Sequence, residues 1–140
     1  MVGYVEIGKD EIRRTPNEIA DIIWKAYHPE RLAEEYVYMV AFDNKLHLIG
    51  LFEVAHGTST ESAISTKQIL QRALLSGAVT ICIAHNHPSG GVKPSKDDDR
   101  FTERLSDAAE LCDIQVADHI IIAGACRKEI YSYRSHDRIL

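Results

Sequence analysis

Tyr36 to Phe42 is a β-prone run with no polar break. A strand of that kind is expected to be buried on both faces, so the chain must lay cover on either side of a sheet. Leu46 to Val54 is a second such run, and Asp43-Asn44-Lys45 between them is turn chemistry. Together they predict a β-hairpin. Val79 to Ala84 is a short apolar run of strand length and reads as a central, buried strand. Val116 to Ala123 and Ile130 to Tyr133 read as two more. Tyr4 to Ile7 reads as an edge strand within a short N-terminal segment, residues 1–14.

The cover is helical. Thr15 followed by Pro16 predicts a helix N-cap with proline in the first turn, where its missing N–H costs nothing. Ile19, Ile22, Ile23 and Ala26 continue as one apolar stripe, and Pro29 stops the helix near His28. Ser65 or Thr66 caps a second helix with Ile69, Leu70, Ala73 and Leu74 on one face and Gly77 at its end. A third starts at Ser95 and carries Phe101, Leu105, Ala108 and Cys112. This order of elements predicts a mixed sheet with helices packed on its faces, a single α/β or α+β layer fold.

At 140 residues the chain is expected to be one domain. Apolar residues at 45% and charged residues at 26% exclude a mainly disordered chain. Sixteen Lys+Arg against twenty-one Asp+Glu leave a net charge of −5. Bulk charge therefore favours neither DNA nor an anionic membrane as a partner. No apolar run approaches the ~20 residues that cross a bilayer, and Met1 to Asp10 lacks the pattern of a signal peptide. Cys82, Cys112 and Cys126 are odd in number and widely spaced, against a disulfide framework or thiolate metal site. Cys82 and Cys112 read as small core residues, and a reducing cytoplasm is the expected compartment.

The chemistry lies in His85-Asn86-His87-Pro88-Ser89-Gly90-Gly91-Val92-Lys93-Pro94-Ser95-Lys96-Asp97-Asp98. Histidines at i and i+2 in extended chain point to the same side. Placed just past a buried strand, two imidazoles can hold one divalent metal. Asp98, in the first turn of the next helix, can be brought back to them by the loop. Two His and one carboxylate leave a fourth tetrahedral position open, as in catalytic zinc sites. Each part also has a plainer reading. The histidines can be ordinary loop residues, and Ser95 to Asp98 a capping box. Asp97 and Asp99 favour the positive helix N-terminus and project about 100° to either side of Asp98. No plain reading requires the whole string.

At these residues the sequence resembles the JAB/MPN metalloprotease superfamily, whose JAMM signature is H-x-H, seven residues, then S-x-x-D. More closely it resembles the RadC family, whose hallmark H-N-H-P-S-G, then P-S-x-x-D, is matched from His85 to Asp98. Leu51-Phe52-Glu53 leading to His56-Gly57-Thr58, Asp118-His119 before Ile120, and Tyr131-Ser132-Tyr133 also look like family segments. The resemblance runs over about residues 15 to 140. It implies a three-layer α-β-α fold with a mixed central sheet, similar to the cytidine deaminases. Family members often carry an N-terminal helix-hairpin-helix segment for DNA. The chain has no room for one and is expected to be the JAB/MPN domain nearly alone.

The resemblance implies that His85, His87 and Asp98 hold one zinc per chain, and that Ser95 steadies an oxyanion through its hydroxyl. It also implies an upstream glutamate as proton carrier. Glu53, among Leu51, Phe52 and Val54 near the end of the second hairpin strand, is the choice, with Glu61 in reserve. His56 and His119 are weaker candidates: Asp118-His119 resembles a family feature that would support the site from behind, and a hydrogen-bonded structural histidine is the plainer reading of each. The implied activity is hydrolysis of a peptide or isopeptide bond in a peptide or protein substrate. Two other readings stay open. One is a non-catalytic metal-binding interaction module. The other is a DNA-repair accessory, which the acidic balance does not favour. A zinc deaminase needs H-x-E together with C-x-x-C, and it is excluded because C-x-x-C is absent. Oligomeric state is not readable.

Overall fold

The computed structural model describes residues 4–5, 15–29, 34–57, 65–124 and 129–139. Its elements are β1 (Tyr4–Val5), α1 (Pro16–Tyr27), β2 (Glu35–Phe42), β3 (Leu48–Gly57), α2 (Thr66–Ser76), β4 (Thr80–His87), α3 (Lys96–Leu111), β5 (Gln115–Ala123) and β6 (Ile130–Ser132). The strands form one mixed sheet in the order β1-β3-β2-β4-β5-β6. All neighbours are antiparallel except β4 and β5. That parallel pair needs a crossover, and α3 provides it.

Alternation along β2 divides the interior into two layers. Tyr38, Val40 and Phe42 pack with Ile19, Ile23 and Trp24 of α1. Val37, Met39 and Ala41 pack on the other face with Ile69 and Ala73 of α2 and Leu105 and Ala109 of α3. The unbroken apolar strand thus produces a three-layer α-β-α arrangement, as expected. Cys82 lies inside the α1-side core, and burial pushes its thiol pKa up to about 12, so it is inert packing.

The helix ends follow from their caps. Thr15 Oγ1 accepts the Glu18 amide at 3.1 Å, and His28 closes α1 in the left-handed conformation at φ 52°. Gly77 does the same for α2 at φ 74°.

Three local expectations are corrected. The second hairpin strand starts at Leu48 rather than Leu46, because Asp43 Oδ1 accepts the amides of Lys45 and His47 and prolongs the turn. Cys112 is exposed, not buried. There α3 ends in a Schellman turn, with Ile114 N donating to Ala109 O and Asp113 N to Glu110 O, and Ile114 fills the core position instead. Finally, β4 does not stop at Ala84. It runs on to His87, because β2 and β5 continue alongside and pair with it there.

Candidate metal centre

The extension of β4 makes both histidines strand residues. His85 pairs with Val37 and with Ile121, and His87 with Ala123. Odd positions of β4 face α2 and α3, as Ile81 and Ile83 do. His85 and His87 therefore point together toward α3, at the carboxyl end of a parallel strand, where α/β sheets commonly place their ligands. Asp98 arrives from α3. Ser95 caps that helix, its Oγ accepting the Asp98 amide at 3.0 Å, while Asp98 Oδ2 accepts the Ser95 amide at 2.9 Å. The capping box and the metal-ligand reading describe one piece of structure, since the cap aims the carboxylate.

The three side chains converge. His85 Nε2 lies 3.0 Å from His87 Nε2 and 3.3 Å from Asp98 Oδ1, and His87 Nε2 lies 3.2 Å from Asp98 Oδ2. Atoms around a tetrahedral zinc at about 2.0–2.1 Å are roughly 3.3 Å apart, so the spacing fits. The donor chemistry fits as well. His87 Nδ1 faces the Gly91 carbonyl at 3.1 Å and must donate, so in the neutral ring Nε2 is the lone pair free for a metal, and in the protonated ring it donates to Asp98 Oδ2. His85 is fully buried. Burial alone would raise the Asp98 pKa, but its hydrogen bonds with His85 and His87 outweigh that and hold it far below the usual carboxylate range. Burial pulls His87 down, yet the bond and charge of Asp98 carry it above the ordinary imidazole value.

A carboxylate not singled out in the sequence stands beside the cluster. Glu35, the first residue of β2, places Oε1 3.7 Å from His85 Nε2. Its parity is that of Val37 and Met39, the face of the histidines. Glu53 is on the other face. It pairs with Tyr38 across the hairpin, shares the strand parity of Leu51 in the α1-side core, and its charge acts on Tyr27. The structure thus sets Glu53, the expected proton carrier, on the face away from the histidines and Glu35 beside them. Glu61 lies outside the described residues, as does the side chain of His56.

The chain is similar to known proteins. The family model of the RadC-like JAB domain matches residues 13–138. The chain belongs to this family. The "UPF0758 protein YkfG" of Escherichia coli K12 is 34% identical over 81% of the chain and 70% of that protein. A "UPF0758 protein" of Thermotoga maritima is 32% identical over 96% of the chain and 62% of that protein. A UPF0758 protein of Burkholderia cenocepacia is 40% identical over 63% of the chain, which spans 34% of it. The chain thus covers between about a third and about seven-tenths of these relatives.

Around the centre of this RadC-like domain the remaining polar side chains are accounted for. Ser95 spends an acceptor lone pair on the Asp98 amide and keeps its O–H to donate. Asp97 pairs with Arg100, and Asp99 with Tyr133 and Arg138, so neither flank of Asp98 joins the centre. His119 on β5 sits behind His85, its Nε2 2.8 Å from His85 Nδ1. Burial holds its pKa well below the ordinary value. Tyr133 stacks on its ring at 4.8 Å. Asp118 anchors that tyrosine's turn by accepting from Ser132 Oγ at 2.5 Å and Arg134 N at 3.0 Å. Among the described residues, no helix is long and apolar enough to cross a membrane.

Proposed function

We propose that the chain is a zinc-dependent hydrolase of peptide or isopeptide bonds, with His85, His87 and Asp98 as the ligands. The observation that carries the reading is the convergence of two imidazole nitrogens and a carboxylate at the spacing of a zinc shell, with Glu35 beside them. Zinc, when bound, supplies Lewis acidity and brings the pKa of water to about 7.

The chain's own residues do the rest. Glu35 receives the proton of the attacking water at its carboxylate and returns it to the leaving amine. Its place at the mouth of β2, about one-fifth exposed, leaves it open to solvent on one side. The Ser95 hydroxyl donates to the oxygen that becomes negative as the carbonyl is attacked, a contribution of roughly 3–4 kcal/mol for a well-placed donor.

Incubating the zinc-loaded protein with peptide and isopeptide libraries tests the reading. Cleavage is expected, lost in Glu35→Gln with zinc still bound and kept in Glu53→Gln. Zinc bound without cleavage of any substrate would return the chain to a non-catalytic metal-binding module.

A further inference from the structure

Behind the candidate metal ligands runs a buried hydrogen-bond circuit whose direction can be deduced. Thr102 Oγ1 lies 2.7 Å from the backbone carbonyl of Asp98 and 2.5 Å from His119 Nδ1. A hydroxyl has one proton, and a carbonyl oxygen can only accept. The Thr102 proton therefore goes to Asp98 O, and Thr102 Oγ1 must accept from His119. His119 then carries its proton on Nδ1, which leaves Nε2 as a lone pair. That lone pair faces His85 Nδ1 at 2.8 Å, so His85 donates from Nδ1. On a neutral His85, the form that can hold a metal, what remains is a bare Nε2, aimed at His87 and Asp98.

We propose that His119 and Thr102 are positioning residues that fix the tautomer of His85 and tie it to the turn of α3 that supplies Asp98. The circuit links two ligands through their backs: Asp98 by its backbone carbonyl, His85 by its far nitrogen. Both relay members are buried, Thr102 at 4% and His119 at 1% exposure, so water does not compete for these bonds. Parallel stacking of His119 on Tyr133 and an edge contact from Phe101 hold the imidazole plane in register. With the Thr102 proton on its own helix, the tautomer of His119 protonated at Nδ1 is the one that serves Thr102 and His85 together. The inference rests on the proposed metal site for its consequence, but not for its hydrogen-bond directions.

Two measurements test it. Nitrogen-15 NMR of the wild-type imidazoles should show the His119 proton on Nδ1 with or without zinc. A proton on Nε2 overturns the relay, whatever the metal does. The second is zinc affinity by chelator competition. His119→Phe keeps the ring stack but removes both nitrogens, and Thr102→Val removes the hydroxyl. Each should weaken zinc by about 10- to 100-fold, the usual loss when a ligand's supporting partner is removed. Thr102→Ser should bind as the wild type does. Binding by folded His119→Phe within twofold of wild type would overturn the proposal. Should His119→Phe fail to fold, equal affinity of the Val and Ser variants at Thr102 would overturn it. A wild-type chain that binds no zinc would sink the proposed function, and the NMR result would still decide the relay.

Discussion

The Asn86 side chain, on the sheet face opposite the two histidines, accepts the Tyr36 amide at 2.6 Å. Its Nδ2 donates to the Glu34 carbonyl at 2.9 Å and to the Pro29 carbonyl at 3.3 Å. The central residue of His-Asn-His thus grips the peptide groups on both sides of Glu35. Alternation makes this unavoidable: with two ligands at i and i+2 facing α3, the residue between them faces the α1 layer. Asn86→Ala should therefore cost about 2–4 kcal/mol, at about 1 kcal/mol net per hydrogen bond plus desolvation. Urea denaturation of the metal-free protein checks this. A loss below about 0.5 kcal/mol, the size of an ordinary surface substitution, would show the grip to be idle.

Gly124 follows β5 directly beneath the metal strand. A Cβ there would lie 2.4 Å from the His87 carbonyl oxygen and 2.8 Å from that of Pro88. Both obstacles are backbone, so neither can swing aside. Gly124→Ala should destabilise the fold by about 1–3 kcal/mol, as overpacking does, and weaken zinc by moving His87. Thermal melts and zinc titration on one sample would reveal both effects.

The histidines and Asp98 couple metal binding to pH. Zinc needs His87 unprotonated, and Asp98 raises the His87 pKa. Zinc affinity should fall as pH drops through a point above about 6.5, the ordinary imidazole value. Without metal, the lowered Asp98 pKa adds stability that is present above the ordinary carboxylate value, about 3.9, and lost as pH falls through the folded value. The raised His87 pKa acts in the other sense, giving stability below about 6.5 that fades as pH rises through the folded value. Asp98→Asn should flatten both dependences in melts of the metal-free chain.

How much of this was legible in the sequence depends on how local each feature is. His85, His87, Ser95 and Asp98 lie within one strand, loop and helix start, so alternation and helix-cap chemistry suffice to bring them together. Glu35 reaches the same point only through β2–β4 pairing, with Val37 opposite His85. Nothing near Glu34-Glu35 signals that partner, and a carboxylate pair before a strand reads as solvated. Strand parity from Val37 to Glu35 was the available clue. Glu53 stands apart from the histidines for a related reason. The polar position in its apolar strand is real, but the sheet has two covered faces and Glu53 takes the α1 side. Cys112 failed because the stripe through Phe101 ignores where α3 stops.

Ser95 carries two duties that one substitution can weigh. Ser95→Ala removes the cap of α3 and should cost about 1 kcal/mol. If the hydroxyl also meets the oxyanion, turnover should fall by about 100- to 1000-fold, far more than the cap accounts for. Ser95→Thr should restore both, read by denaturation and by rate on any substrate found.

The account stands on one cation held by His85, His87 and Asp98, and elemental analysis of purified protein equilibrated with zinc and then desalted tests it most directly. One zinc per wild-type chain and none in folded His87→Ala is the predicted result. A wild-type chain that retains no zinc, or a His87→Ala chain that retains as much, would contradict it.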